Sequence, residues 1–575
     1  MSVILGFNLS HNGGVAVISD GKVKSAIQAE RISRLKRYPL YLNQNKKLVK
    51  ECINYCLNVA GFQHSDIEAI ALSTPFNVKK INDHDLFDYI EGKPKKYIKT
   101  FYVPHHYSHM EYIAHYGNLE PGIILVVDGS GSLEKDRPLF NVEEKHNLNI
   151  INHTHSTGKE VISAYWFDGI KSTLIYRFSP SMFSTEKYAQ NNWGLLQSIG
   201  HYWEWASSYC YGERNEAGKV MGLAAFGEKE EYNSAIFGEK KESNNHKILS
   251  ISENAELKLD FQQIEKEFKN PNIFSLDLSN SKHHQILAQK VQSETEDVIL
   301  KLLEIIRKKH PTNTLYFSGG VALNVVANES IKNSNLFKNV ILNSSVENNG
   351  TAIGAGLTAS LELGYKRKYS PITDYYGRLY NHEEIMESVD HFNFPYKVLT
   401  DKEIYPLAAD LIVKEKVFGW FQGRSEFGPR ALGNRSILAN PVSSNTKSIL
   451  DHFMKSRERY LPYAPVVLEE DANLFFDIDT NSPAMMRNVK VLDKRLTAIT
   501  HFDGTARVQT VNREENENLY LLLLEIKKST GYPILLNTSF NLPGEPIVES
   551  PNDALYAFSR GSLDYLFLGN VLISR

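Results

Sequence analysis

The sequence predicts an α/β protein, built as a first domain that contains an internal duplication and a second α/β domain behind it. Three observations predict this. Apolar runs alternate into strands that meet at an Asp-Gly pair in two separate places, Asp20–Gly21 and Asp168–Gly169. A strand, a double glycine and a helix follow one another between residues 314 and 328. From about residue 396 onward, short β-rich runs recur between Pro441, Pro462, Pro533 and Pro546.

The balance of 42% hydrophobic and 23% charged residues over 575 positions is that of an ordinary globular chain of several domains, which excludes wholesale disorder and fibrous structure. A net charge of −3 offers no basic excess to grip a polyphosphate backbone, so no nucleic acid partner is expected. Cys52, Cys56 and Cys210 make neither a disulfide framework nor a four-thiolate zinc site. No run approaches the roughly 18 apolar residues of a membrane span, and the first residues lack a secretory apolar region. The expectation is a cytoplasmic protein without membrane association, for which a homo-oligomer stays open.

Taken in order, Val3–Asn8 alternates into a first strand, Gly13–Gly14 allows a tight turn into 15–18, and Asp20–Gly21 tolerates the positive φ of a hairpin turn into 23–26. Cys52 and Cys56, four apart among Ile53, Leu57 and Val59, fall on one helix face as buried thiols. The meander then returns. Residues 123–127 form an apolar strand ending at Asp128-Gly129-Ser130-Gly131, and 161–167 and 172–176 flank Asp168–Gly169. Two copies, each opening onto a glycine-containing turn after its first strand, are what a nucleotide-binding cleft between related lobes needs. Residues 228–272 turn polar and read as an insertion. Apolar residues from Ile286 to Ile306 recur at helical spacing, so 283–310 is a long packed helix. Residues 314–317 are a strand, Ser318-Gly319-Gly320 its turn and 321–328 a helix start. The first domain is placed at 1–365, a linker at 366–395 and the second domain at 396–575. Strands are expected in the second domain at 417–421, 466–468, 508–511, 534–536 and 566–573.

Three constellations carry chemistry. His105 and His109, four apart, aim both imidazoles to one side of a helix, and Asp128 ends the next strand. This set suits iron, zinc or manganese better than calcium or magnesium, although a histidine pair on a helix is more often a polar surface or a satisfied core pair. The Ser318-Gly319-Gly320 turn offers N–H groups at a helix start with Asn324 one turn in, a phosphate cradle or simply a tightly packed entry. A Walker-type loop is missing. The densest segment is GRSEFGPRALGNRS, whose Arg424, Arg430 and Arg435 stand among helix breakers and so read as a fork for phosphate or carboxylate. Lys455, Arg507, Asn537 and Ser539 extend this anion pocket.

Together with ILGFNLSHNGG, AERISRLK, HHYSH, VVDGSGS, GKVMGLAAFG, SGGVALN, DGTARVQ and LNTSFNLPGEP, these segments resemble the O-carbamoyltransferase family of the TobZ and NodU type along nearly the whole chain. The resemblance implies a duplicated actin-like ATPase (ribonuclease H-like) domain, like the threonylcarbamoyl-transferring subunit, followed by a YrdC-like α/β domain. It implies that the second domain makes carbamoyladenylate from carbamoyl phosphate and ATP, with Mg2+ accompanying the ATP. The first domain then transfers the carbamoyl group to a hydroxyl of a small-molecule acceptor in natural-product biosynthesis. By the family pattern Arg424, Arg430, Arg435, Lys455 and Arg507 bind carbamoyl phosphate and the triphosphate, with Asn537 and Ser539 as neutral donors. Gly129, Ser130, Gly319, Gly320 and Asn324 hold the nucleotide in the first domain. His11 activates or positions the acceptor and Lys36 stabilises charge. His105, His109 and Asp128 bind ferrous iron. Asn348 stands where the family has an aspartate as fourth ligand, and its amide oxygen is weaker than a carboxylate; Glu347 is the adjacent alternative.

Two other classes of function are compatible with parts of the sequence. A small-molecule kinase or ATPase of the actin-like fold explains the glycine turns but leaves the arginine segment without a reaction. A nucleotide-gated scaffold or tRNA-modification partner needs no chemistry at all, and the near-neutral charge argues against it.

Overall fold

The computed structural model describes residues 2–41, 44–73, 75, 88–91, 97–133, 151–181, 197–227, 247–260, 264, 281–370, 374–453, 460, 461 and 463–575. The chain divides into two compact units: residues 1–73, 82–101 and 343–575 in one, and 74–81 and 102–342 in the other.

In the first unit, period-two alternation produces β1 (Val3–Asn8), β2 (Gly14–Ser19) and β3 (Lys22–Gln28) as an antiparallel meander. Its β2–β3 turn is closed by Asp20 at φ 52° and Gly21 at φ 75°, the positive angles that match strand twist. β4 (Ile67–Ser73) lies parallel to β1, and β5 (Lys99–Val103) completes the order β3-β2-β1-β4-β5. The sheet is covered by helices, so β1 and β2 are buried throughout rather than half-solvated. Helix Lys46–Ala60 buries Cys52 and Cys56. A Cβ on Gly6 would lie 2.1 Å from the Ala352 carbonyl oxygen, so helix Gly350–Glu362 rests directly on β1.

The second unit repeats the first. β6 (Gly122–Val127) is central; β8 (Ile162–Phe167) and β9 (Ser172–Ser179) continue from it antiparallel, while β12 (Thr314–Ser318) and β13 (Asn339–Ile341) lie parallel on its other side. The first, second, third, fourth and fifth strands thus occupy the same sheet positions in both copies. β7 (Ile151–Thr154) is added at the β9 edge. This is the duplication of the actin-like fold, with its long helix observed at Lys282–Lys309. Within the expected insertion, a hairpin of β10 (Leu249–Ile251) and β11 (Leu257–Leu259) is pinned to that helix, because Glu294 accepts the N–H groups of Ile248 and Leu249 at 3.0 and 2.9 Å. Residues 228–246, 261–263 and 265–272 of the insertion lie outside the described residues.

The chain from 374 onward contributes nine strands to the first unit: β14 (Tyr396–Val398), β15 (Phe418–Phe421), β16 (Arg435–Ala439), β17 (Ala464–Leu468), β18 (Arg487–Lys490), β19 (Thr505–Val511), β20 (Ile534–Ser539), β21 (Tyr565–Leu568) and β22 (Val571–Ser574). They form one mixed sheet, β14-β22-β21-β15-β16-β20-β17-β19-β18. Successive residues go to opposite faces: Leu438, Val466 and Leu535 pack on one side with helices Asp401–Val413 and Glu517–Thr530, and Ile437, Val467 and Ile534 on the other. Two expectations change. Residues 566–573 are two antiparallel strands, because Gly569 at φ 59° turns the chain. The stretch 366–395 includes helix His382–Asp390, which sends Ile385 and Val389 into the second of those cores.

Candidate metal centre and carboxy-terminal polar face

Helix His105–Ala114 and the end of β6 converge in the second unit. The helix places His105 and His109 one turn apart, and their Nε2 atoms are 3.2 Å from each other. Asp128 follows the last residue of β6, and its Oδ2 lies 3.2 Å from His105 Nε2 and 3.6 Å from His109 Nε2. Both histidines are fully buried and Asp128 is nearly so. Three N and O ligand atoms at these separations fit around one divalent ion with bonds of about 2.0–2.2 Å. Burial alone would raise the Asp128 carboxyl, yet the hydrogen bonds and charge of the two histidines hold it well below its ordinary range. The donor set is thus charged and preassembled. His106, on the same helix, turns away: its Nδ1 is 3.0 Å from Ser163 Oγ, which in turn donates to Glu160 at 2.5 Å.

The glycine turn after β12 meets the same carboxylate. Gly320 N–H donates to Asp128 Oδ1 at 3.3 Å. Gly319, at φ 92°, is required because a Cβ there would stand 2.2 Å from the Val127 carbonyl oxygen, so close strand approach accounts for it. The helix predicted at 321–328 begins later, at Val325. Asn324 is its N-cap, accepting from Ala327 N–H at 3.0 Å and exchanging hydrogen bonds with Gln292. The amide expected to hold a nucleotide is thereby committed to the helix and its neighbour. Gly129 and Ser130 form the half-buried loop after Asp128, packed against Gly200. Glu204, on helix Ile199–Tyr211, comes up to this loop. Burial first and the Asp128 charge in addition push its carboxyl up to about 7, against the pull of Arg214. Nothing in the aromatic-rich GHYWEW pattern singled Glu204 out.

His11, Lys36 and Asn348 belong to the first unit. His11 is exposed in the turn after β1, and Asn348 Nδ2 lies 2.9 Å from its Nε2 and donates to Ser10 Oγ at 3.1 Å. The residue expected as fourth metal ligand thus orients His11 through its amide nitrogen. Glu347, the alternative, accepts from Asn12 at 3.0 Å. Lys36 is exposed just beyond the short helix Ala29–Ser33.

The arginine segment is not the fork it was expected to be. It wraps around Glu426, whose Oε1 accepts the N–H groups of Leu432, Asn434 and Arg435 at 2.8, 2.7 and 3.2 Å. Arg435 is fully buried: it donates to the carbonyls of Gln422, Gly423, Asn434, Arg378 and Glu549, and its guanidinium lies 3.6 Å from the centre of the Phe421 ring. Arg424 donates to the carbonyls of Gly377, Lys24 and Tyr376 at 2.8, 3.0 and 3.1 Å. Both clamp main chain, their guanidinium N–H groups taken up by backbone carbonyls. Arg430 and Arg507 are half-buried. Arg507 on β19 and Asn537 and Ser539 on β20 point to one face of the sheet, by the register through Val466 and Ala464 of β17. Gln509, two residues after Arg507, joins them there. Asn537, expected as a donor, already donates to Ala431 O and Gln509 Oε1. Lys455 lies outside the described residues.

A duplicated actin-like domain with a buried His-His-Asp centre, followed by a mixed-sheet domain with a polar face, defines a two-centred α/β protein. Residues 3–357 match the family model described as Carbamoyltransferase N-terminus, and residues 409–575 match Carbamoyltransferase C-terminus. The chain belongs to the carbamoyltransferase family. It is 30% identical to the nodulation protein NolNO of Sinorhizobium fredii over 98% of this chain and 79% of that protein. It is 30% identical to the 3'-hydroxymethylcephem-O-carbamoyltransferase of Amycolatopsis lactamdurans over 61% of this chain and 63% of that protein. Among solved structures, HypF of T. kodakarensis is similar at 13% identity and a TM-score of 0.37 over 63% of this chain and 48% of that one, too slight a likeness to bear on the fold. No helix among the described residues is long and apolar enough to cross a membrane.

Proposed function

We propose that the chain is an ATP-dependent O-carbamoyltransferase with a hydroxyl-bearing small molecule, of natural-product type, as acceptor. The activating half, 396–575 with the helix His382–Asp390 that packs into it, takes carbamoyl phosphate and Mg2+-bound ATP. Water cleaves carbamoyl phosphate to carbamate and phosphate; a carbamate oxygen then attacks the α-phosphorus, forming carbamoyladenylate and releasing pyrophosphate. In the transfer half, 1–365, the acceptor oxygen attacks the carbamoyl carbon, its proton passes to a base, and AMP leaves. Carbamate is a poor donor because nitrogen and an anionic oxygen both feed its carbonyl, so attachment to AMP supplies the leaving group.

What carries this reading is the presence of two separate polar centres in a family member that spans both family models. The name of the cephem relative supports a hydroxyl acceptor. Arg507 and Arg430 would neutralise phosphate charge on the activating side, with Ser539 as a neutral donor. On the transfer side His105, His109 and Asp128 would hold a divalent ion, iron in our reading, whose charge would stabilise a phosphate or carbonyl oxygen. His11, held by Asn348, would orient or deprotonate the acceptor, and Lys36 would offset developing negative charge.

The test is pyrophosphate release with and without carbamoyl phosphate, followed by nucleotide analysis in the presence of a hydroxyl-rich metabolite extract. The expected result is pyrophosphate only with carbamoyl phosphate, AMP when an acceptor is present, and a product heavier by one carbamoyl group. ADP formed without carbamoyl phosphate would establish the kinase reading instead. Arg507→Ala should abolish pyrophosphate release, whereas His11→Ala should retain it and lose transfer; equal loss of both steps in His11→Ala would refute this division.

A further inference from the structure

We infer that Asn537 is the specificity determinant for the amino group of the activated acid, accepting an N–H through Oδ1, with the Ala431 carbonyl and Gln509 together fixing its polarity. The inference rests on the carbamoyl-activation reading above and deepens it.

Two main-chain carbonyls set the direction of a side-chain relay on this face. Gln509 Nε2 donates to Leu432 O at 2.8 Å, and Asn537 Nδ2 donates to Ala431 O at 3.2 Å and to Gln509 Oε1 at 2.8 Å. A carbonyl can only accept, so each of these backbone oxygens demands an amide nitrogen opposite it. Rotating either amide by 180° would set oxygen against oxygen. The relay Leu432 O, Gln509, Asn537, Ala431 O therefore has one direction, and both hydrogens of the Asn537 amide are committed within it. What remains is Asn537 Oδ1, which has no hydrogen-bond partner among the described residues, on a side chain only 1% exposed.

A buried acceptor left unpaired loses its hydration without compensation, so such a group calls for a donor. Its neighbours on the same sheet face, Arg507 two residues from Gln509 and Ser539 two residues from Asn537, suit an anion. Phosphate and carboxylate oxygens cannot satisfy Oδ1, because they too are acceptors. Of the parts of carbamoyl phosphate or carbamate, only the –NH2 group donates. Asn537 thus distinguishes a carbamoyl donor from its near-isostere with a methyl group in place of the amino group.

The discriminating experiment measures ATP-dependent pyrophosphate release with carbamoyl phosphate and with acetyl phosphate, on the full chain. A site built around a hydrogen bond to a substrate N–H rejects the analogue lacking it by on the order of 10⁴-fold. That preference in kcat/KM is expected of the wild type. Asn537→Leu, which keeps the volume and removes the acceptor, should bring the ratio to within about tenfold, through loss on carbamoyl phosphate alone. Gln509→Leu, which removes one of the two acceptors that hold the Asn537 amide while Ala431 O remains, should lower the ratio by less than Asn537→Leu does, with an unchanged circular dichroism spectrum. Arg507→Ala should lose pyrophosphate release with both donors alike. A wild type that uses acetyl phosphate equally well overturns the inference, even if Asn537→Leu does not fold. So does a folded Asn537→Leu or Gln509→Leu that loses both donors by the same factor, since Oδ1 would then hold a buried water only. Pyrophosphate release from neither donor would sink the activation reading itself and this claim with it.

Discussion

The histidine pair of helix His105–Ala114 and the arginines between 424 and 435 are both dense polar clusters, yet the fold treats them in opposite ways. The histidines and Asp128 turn their ligand atoms toward one another, 3.2–3.6 Å apart, on a helix and at a strand end whose own backbone groups are already paired. Arg424 stands in a loop and Arg435 at the first position of β16, and the carbonyls of Gly377 and Gln422 beside them take their N–H groups. A ligand constellation can therefore be read from sequence where its residues sit on regular elements. In a loop the main chain competes for the same donors first.

The largest effect should come from the arginine side of this contrast. Arg435→Ala leaves the carbonyls of Gln422 and Gly423 without the donor that Arg435 supplies, and about 3–5 kcal/mol of stability should be lost in denaturant unfolding. Arg435→Lys should not rescue it, because one ammonium cannot reproduce the guanidinium fork. Normal unfolding combined with lost pyrophosphate release would make Arg435 a substrate ligand and break the contrast. On the histidine side, Asp128→Asn keeps the shape and removes the charge. It should weaken ferrous-ion binding at least ~100-fold after dialysis, while pyrophosphate release dependent on carbamoyl phosphate persists. Gly319→Ala follows, at about 2 kcal/mol, since φ 92° and the Val127 carbonyl both oppose a side chain.

How far the sequence could be read follows the same division. The duplicated sheets were legible because alternation and Asp20–Gly21 act within a few residues, and His105 with His109 because a helical turn is local. The capping role of Asn324 was not legible, because a cap depends on where the α-helix starts, which is Val325. The backbone partners of Arg424 were not legible, because one of them, Lys24, lies far off in the chain. Asn537 was expected as a neutral donor; the direction of its amide was not legible, since it depends on Leu432 and Ala431, which tertiary folding brings in. Helix His382–Asp390 was passed over in a stretch rich in Tyr, Pro and charge, although Asn381 and Glu384 form a capping box at its start.

The smallest predicted effect sharpens the contrast in a different currency, the pH dependence of two carboxyl groups. Asp128 is held well below its ordinary range, against burial, by two histidines. Glu515, half-buried in the carboxy-terminal part of the chain, has no such partner. Burial, and then the Glu469 charge, push it up to about 7, while hydrogen bonds from Asn512 pull the other way without prevailing. A carboxyl raised in the folded state binds its proton more tightly there than in the unfolded chain. Its contribution to stability is therefore complete below about 4.5 and is lost as pH rises through about 7. Asp128 runs in the opposite sense: its contribution is present above the ordinary carboxylate range and is lost only on acidification. Thermal unfolding of Glu515→Gln should thus match the wild type near pH 5 and exceed it slightly near pH 8, with the slope between those values reduced. A variant that gains equally at both values would show that Glu515 acts through packing rather than through charge, and the two carboxyl groups would no longer differ in kind.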